Sequence, residues 1–302
     1  MKPRADEVTA ILGGHRVVER NGHRIDEKDD RPASVPSPQL DPAAFYGVAG
    51  AFVEAMDEDT EADKAGVLAH VLAGFGNMVG PRDAREDVPH AIIGDAQHPP
   101  RLFFGIVGDT ATGRKGTAWN VAQRVLRAAD EEWFSRCVHT DGGLISGEGL
   151  IYHLRDPIES QVAIREKGRV TGYERQITDE GVADKRKFVV ETEFAGVLAV
   201  MGKEKNTLSP RLRQAWDNGN LGTLSKHSPV RATRAHVGLC VHVTPEELGA
   251  LFGVVEALNG FGNRFVWLGV ERSKKRPFHE GSPESVVAPF ATQMRAALAW
   301  AR

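Results

Sequence analysis

Cysteine is almost missing from this chain: two residues, Cys137 and Cys240, in 302. Two thiols in apolar surroundings build neither a disulfide framework nor a zinc site. They read as buried free thiols of a protein kept in a reducing, cytoplasmic setting. Long apolar runs are missing too. Nothing approaches the ~20 residues that cross a bilayer, and the opening MKPRADEVTA lacks the apolar stretch of a secretory signal, so no membrane partner is expected. There is no excess charge of one sign: 38 Lys+Arg stand against 41 Asp+Glu, a net charge of −3. That excludes a protein coated in positive charge and leaves room for a local basic groove. No internal repeat or low-complexity tract occurs. With 41% apolar and 26% charged residues the composition is globular, and the length suits one large domain or two ordinary ones. What is plentiful is glycine, 32 residues, and the useful question is where they sit.

Residues 1–40 read as a poorly structured arm of alternating charge with one short helical turn at Val8, Ile11 and Leu12. The arm ends in a linker rich in proline and serine, Pro32 to Pro38. Residues 41–80 read as a helical hairpin. Asp41-Pro42 is a helix opening, and Phe45, Val48, Ala49, Phe52 and Met56 make one apolar stripe. An acidic turn, Asp57 to Asp63, follows and reads as solvated. Leu68, Val71, Leu72 and Phe75 repeat the helical spacing, with Gly76 as the stop. From about residue 98 to 302 short apolar runs alternate with helical patterns. Strands are expected at Leu102 to Val107, Phe134 to Val138, Lys187 to Glu191, Val237 to Val243 and Phe265 to Val270. Helices are expected at Thr117 to Ala129, Ser146 to Leu154, Phe194 to Met201, Ser209 to Trp216 and Pro245 to Phe252. A last one runs from Ser282 to Ala301, interrupted at Pro289. Residues 156–186 read as an inserted hairpin or long loop. This alternation predicts an α/β fold: a mostly parallel sheet flanked by helices and preceded by the hairpin.

Between the first expected strand and helix lie Gly108, Asp109, Thr110, Ala111, Thr112, Gly113, Arg114, Lys115, Gly116 and Thr117. That is the context of a phosphate loop, where glycines let backbone N–H groups turn toward an anion at a helix N-terminus. The usual spacing is G-x-x-x-x-G-K-[ST]. Here two alignments stand. In one, a longer loop uses Lys115 as the phosphate lysine and Thr117 as the metal hydroxyl. In the other, Arg114 occupies the lysine position. The first supplies the required chemistry, and an ordinary Gly/Thr strand–helix turn is the plain alternative. Downstream, the Lys187 to Val190 run ends in Glu191 and Glu193, which share one face if the strand continues. Carboxylates there would orient a metal's water shell and the attacking water. In phosphate-loop proteins such a strand lies beside the loop. The plain alternative is an acidic helix start. A second apolar run, Ala235 to Thr244, carries His236 and His242 on the same parity. They are ~20 Å apart along one strand, which excludes a shared metal ion.

In order along the chain come Gly108 to Trp119, Ser146 to Leu150, Val189 to Phe194, Leu212 to Asp217 and Asn259 to Phe265. Together they resemble a family of RecA-like P-loop ATPases described as helicase-like, found on mobile elements or beside primase–polymerase modules. The resemblance spans about residues 41–302. It implies a RecA-like P-loop NTPase core that binds ATP with Mg²⁺, hydrolyses the ATP and acts in DNA replication or mobile-element maintenance. The alternative within it is a slow or non-hydrolysing switch or scaffold in a replication or defence assembly. Residue by residue, Gly108, Gly113, Lys115 and Thr117 match the phosphate loop. Glu191 and Glu193 match the Walker-B-like strand end, with Thr117 and Glu191 toward Mg²⁺. His242 matches the sensor-like strand end, and Arg264 an arginine finger reaching a neighbouring subunit, its plain alternative being a structural arginine flanking a strand. The resemblance thus implies a homo-oligomer, in the manner of a ring, with a replication or primase partner. Relatives usually continue into a further helical region, whereas this chain stops at Arg302, which bears on helicase activity more than on ATP binding.

Basic residues cluster at Lys185 to Lys187, in the 211–234 region, and at Arg272 to Arg276. In RecA-like rings the second region faces the channel, so Lys226, Arg231 and Arg234 are the candidates for tracking single-stranded DNA. No aromatics interleave with them, so base stacking is not expected, and solvated loops are the plain alternative. A small-molecule kinase is a third, weaker reading of the loop.

Overall fold

The computed structural model describes the backbone of residues 8–12, 15–20 and 23–28, and residues 40–302 except 84, 167, 224–229 and 254–258. It divides into two units, Met1–Gln39 and Leu40–Arg302. In the first, β1 (Val8–Leu12), β2 (His15–Arg20) and β3 (His23–Lys28) form an antiparallel meander in the order β1-β2-β3. Among the described residues of that arm, Val8–Leu12 is a strand where one helical turn was expected. Val8, Ala10 and Leu12 alternate with Thr9 and Ile11, which suits a period of two as readily as one turn of helix. The linker signal falls outside the described residues.

The second unit opens with a single 3-10 turn at Pro42–Ala44, where the Asp41 carboxylate accepts the Ala43 N–H. The hairpin follows as α1 (Gly47–Asp57) and α2 (Lys64–Met78). The expected stripe is right: Phe52 and Met56 are buried, with Phe45 and Ala49 packed beside them. Gly76 does not stop α2. It lies inside the helix, at a close approach where a Cβ would stand 2.6 Å from the Pro100 carbonyl oxygen. The acidic turn also differs from its reading as solvated. Thr60, Glu61 and Ala62 are buried, and the turn holds the segment after the last strand. Asp57 pairs with Lys274 (2.9 Å), Asp59 accepts the Ser282 hydroxyl (3.0 Å), and Asp63 accepts the Glu271 N–H (3.2 Å).

A small hairpin, β4 (Ala91–Ile93) and β5 (Ala96–His98), precedes the central sheet. The sheet's strands are β6 (Phe103–Val107), β7 (Val138–His139), β10 (Arg186–Glu191), β13 (His236–Val243) and β14 (Phe265–Gly269). Between them run the β8 (Ile158–Glu166)/β9 (Arg169–Asp179) hairpin and the short β11 (Leu221–Gly222)/β12 (Arg231–Ala232) pair. All four pairings of the central sheet are parallel, in the order β14-β6-β13-β10-β7. Side-chain alternation splits the apolar residues between two layers. Phe104, Ile106, Phe188, Val190 and Cys240 face α2, α3 (Lys115–Ala129), α4 (Glu131–Cys137) and α9 (Glu284–Ala301). Phe103, Val189, Leu239 and Val241 face α5 (Gly147–Tyr152), α6 (Phe194–Met201), α7 (Leu208–Asp217) and α8 (Pro245–Leu251). The α/β expectation of a parallel sheet between helices holds. Residues 134–137 are helical rather than a strand: Asp130 caps α4 by accepting the Trp133 N–H, and Glu131 and Glu132 fill its first turn. The last helix is continuous through Pro289, and the 156–186 insertion is the exposed β8/β9 hairpin.

Candidate functional site

The carboxyl ends of parallel strands are where α/β sheets place their sites, and the glycine-rich turn lies there. Gly108 N–H bonds Val243 O (3.1 Å), tying the start of the loop to the end of β13, and Gly113 N–H returns to Asp109 O (3.0 Å). The left-handed positions of the loop are not glycines but Ala111 (φ 61°) and Arg114 (φ 48°). Each costs about 1–2 kcal/mol, strain of the kind that marks functional turns. Gly108 and Gly113 serve close approach instead: a Cβ would stand 2.6 Å from Val270 O and 2.9 Å from Asp109 O, respectively. Gly116 faces open space.

α3 begins at Lys115 with no side-chain cap, and the Ala118 N–H is the one that reaches back to Arg114 O. The amides of Lys115, Gly116 and Thr117 precede it and have no helical i−4 partner, which leaves the positive end of the helix open. The Lys115 ammonium folds into the loop onto the Gly108 carbonyl. Burial pulls its pKa down, against the charges of Glu247, Asp109, Glu193 and Glu246. Arg114 also borders the space, but its guanidinium is held by Glu61 at 2.5 Å. Of the two alignments, the structure therefore puts Lys115 in the loop and Arg114 in an ion pair. Glu61 further accepts the Arg276 N–H (2.8 Å) and faces Arg272 (3.7 Å). The Arg276 amide bond and these two guanidiniums hold its pKa below the usual carboxylate range.

The pocket above the loop has a volume of about 370 Å³. It is lined by residues 109–111 and 114–117 of the turn, by Thr192 and Glu193 after β10, and by His242, Thr244 and Glu247 at the end of β13 and start of α8. Two expectations about the acidic strand change. β10 is not beside β6, because β13 lies between them. The strand ends at Glu191, so the two carboxylates part company. Glu193 is exposed toward the pocket, while Glu191 is buried, its Oε1 accepting the Glu193 N–H (3.3 Å) and its Oε2 without a partner.

His236 and His242 do lie on one face of β13, both against α2. His236 Nε2 bonds Gly76 O (2.9 Å), and His242 Nε2 lies 2.9 Å from His70 Nε2. His70 Nδ1 is 2.6 Å from Gly66 O, a carbonyl that only accepts, so Nδ1 carries the proton. Burial lowers the pKa of His70 to about 4 and that of His242 to about 2, the latter lowered further by His70 and Lys115. Both rings are thus neutral. His70 Nε2 must be the acceptor and His242 Nε2 the donor, which leaves His242 Nδ1 a lone-pair acceptor. A sensor histidine donating to a phosphate oxygen needs the opposite, so His242 suits a group that donates, such as water. His70, the residue that fixes this, was not expected from the sequence; its signal was a histidine on the buried face of an otherwise apolar helix. Glu61 and Glu247 were also missed, and nothing in an acidic run separates Glu61 from its neighbours.

Arg264 is not in the pocket. It precedes β14 at the opposite, amino edge of the sheet, where it makes a two-pronged ion pair with Asp217 (3.0 and 2.8 Å) and bonds Gly260 O (2.6 Å). Two basic clusters are likewise engaged internally. Lys185 meets Asp156 and Arg186 meets Asp184, both at 2.7 Å, and the 272–276 segment meets the acidic turn. Arg231 is exposed on β12, Arg234 is half-buried with a left-handed backbone (φ 58°), and Lys226 lies outside the described residues. Both cysteines are buried thiols; burial pushes Cys137 up to about 12. Among the described residues no cluster of three His, Cys, Asp or Glu side chains suits a metal ion, and no helix is long and apolar enough to cross a membrane. No protein-family model matches the chain, and no curated protein matches it.

Proposed function

We propose that this protein binds ATP with Mg²⁺ at the carboxyl edge of its sheet and hydrolyses it, as a RecA-like, helicase-like motor. One observation carries the reading. An open helix N-terminus, a lysine ammonium, a threonine hydroxyl and an exposed carboxylate border one pocket. The backbone amides of 115–117 and the helix dipole would receive phosphate oxygens. Lys115, released from the Gly108 carbonyl, would neutralise charge on the β- and γ-oxygens. The pocket is rich in carboxylates for a polyanion: Asp109, Glu193 and Glu247 border it, so a cation must accompany the nucleotide. Thr117 would hold Mg²⁺, which would supply positive charge against the phosphates; Glu191, buried behind the pocket lining, would support the ion's water shell. Glu193 would accept the proton of the attacking water and His242 Nδ1 would hold that water's second hydrogen.

The test is Mg²⁺-dependent ATPase of the purified chain and of Lys115→Ala. Loss in the variant supports the reading; wild-type turnover in the variant ends it. A second reading, a slow nucleotide switch or scaffold in a replication or defence assembly, is favoured by Arg264, which sits in its own ion pair away from the pocket. As a finger it would have to act across a homo-oligomeric interface. Single-stranded DNA that strongly stimulates turnover selects the motor, and DNA without effect selects the switch. Of the three residues expected to track that strand, Arg231 and Arg234 are the described ones.

A further inference from the structure

Three residues with a cationic side chain are buried among those described: Lys185, Arg186 and Arg101. The first two each meet a carboxylate at 2.7 Å. Arg101 does not. It is 8% exposed, and its guanidinium donates once, from Nη2 to the neutral Asp217 carbonyl (3.1 Å). Its Nε is fully enclosed without an acceptor, and no carboxylate among the described residues lies within ion-pair distance. The nearby Asp217 carboxylate is already clasped by Arg264. A buried charge without a counter-charge is a costly arrangement that proteins retain where something compensates it.

Arg101 lines a second pocket of about 510 Å³ at the amino edge of the sheet, opposite the loop. Arg234 and His90 also border it, with Asp87 as the lone carboxylate apart from Asp217. The walls are built rather than incidental. Ala235 N–H bonds Gly219 O (2.7 Å) and Arg234 N–H bonds Asn220 Oδ1 (3.2 Å), which locks the two turns flanking the pocket together. Arg234 is held in the left-handed region by this arrangement, a conformation an arginine adopts only where its surroundings enforce it. Burial also holds the pKa of Arg101 below that of a free guanidinium, with Asp217 opposing.

We infer that this second pocket binds the oxyanion group, phosphate or carboxylate, of a small molecule, with Arg101 as its counter-charge and Arg234 at its rim. A guanidinium offers such a group paired N–H donors in one plane, and of the Arg101 nitrogens only Nη2 has an acceptor among the described residues. The inference stands apart from the nucleotide reading, since the two pockets lie at opposite ends of the strands.

The experiment follows thermal unfolding of the full chain during titration with inorganic phosphate and with acetate, in a Lys115→Ala background that disables the phosphate loop. At least one anion should give a saturable rise in Tm, roughly 5 °C at a hundredfold excess over its Kd. Adding Arg101→Met should abolish that rise and leave the ligand-free Tm equal or higher, because an uncompensated charge has been removed. If neither anion stabilises the Lys115→Ala protein, or if the rise persists with Arg101→Met, the assignment is overturned. A lower ligand-free Tm in Arg101→Met together with an unchanged anion response would make Arg101 a structural donor to Asp217 only. Binding of a fluorescent single-stranded oligonucleotide that depends on Arg101, without any response to the small anions, would also overturn it in favour of a nucleic-acid backbone.

Discussion

The two edges of the central sheet are built on different terms. At the amino edge charge is matched inside the fold by Lys185 with Asp156, Arg186 with Asp184 and Arg264 with Asp217, while Arg101 has no carboxylate partner among the described residues. At the carboxyl edge the groups are under-committed. Three helix amides lack partners and Glu191 keeps an unbonded oxygen. The amino edge thus uses polar groups to hold the strands to the helices, and the carboxyl edge withholds them from the fold. Ion pairs identify scaffold as readily as they identify function, and the unpaired groups are the more informative.

Substitutions can break this contrast in order of effect. Lys115→Ala should lower Mg²⁺-ATPase at least ~100-fold with little change in the urea midpoint, because its ammonium is held by loop carbonyls alone; an unfolded variant would place Lys115 in the scaffold. Asp156→Ala should do the reverse. It strands the Lys185 ammonium, 3% exposed, and should cost about 3 kcal/mol of stability in urea unfolding while leaving turnover per folded molecule intact.

Acid sharpens the contrast further. Burial holds His236 at about 4, against 6.5 when unfolded. The unfolded chain therefore takes up this proton first as pH falls, so the stability is full above pH 6.5 and declines toward pH 4. His236→Gln should flatten that decline by about 1.4 kcal/mol per pH unit, read from urea midpoints between pH 7 and 4.5; an unchanged slope would mean that His236 is not a buried neutral ring. Glu61→Gln should have the smallest effect. It keeps an acceptor for the Arg276 amide but frees Arg114, so KM for ATP should rise while the unfolding midpoint moves modestly.

Much of the layer structure was legible because it is local. Phe194–Met201 is a helix over the residues its apolar pattern marked, and the expected strands at 102–107, 187–191 and 237–243 fall within a residue or so of β6, β10 and β13. The loop's place between strand and helix was legible for the same reason. What was not legible depends on pairing between distant segments. Nothing in the run Asp57 to Asp63 shows that Lys274 and Arg276 return to it. The strand order, with β13 between the loop strand and the acidic strand, is a property of the assembled sheet. Glu191 and Glu193 were paired by a period of two that lapses when β10 stops, and the Arg264–Asp217 ion pair joins segments 47 residues apart.

One strand joins all of these features. β13 is buried at every one of its eight residues, and its two histidines are pinned to the same helix, His236 at Gly76 and His242 at His70. His236 borders the amino-edge pocket and His242 the carboxyl-edge pocket. Two pins on one rigid pair forbid lengthwise sliding, so β13 and α2 together act as a ruler of ~20 Å. The spacing between the two pockets is set by the backbone itself.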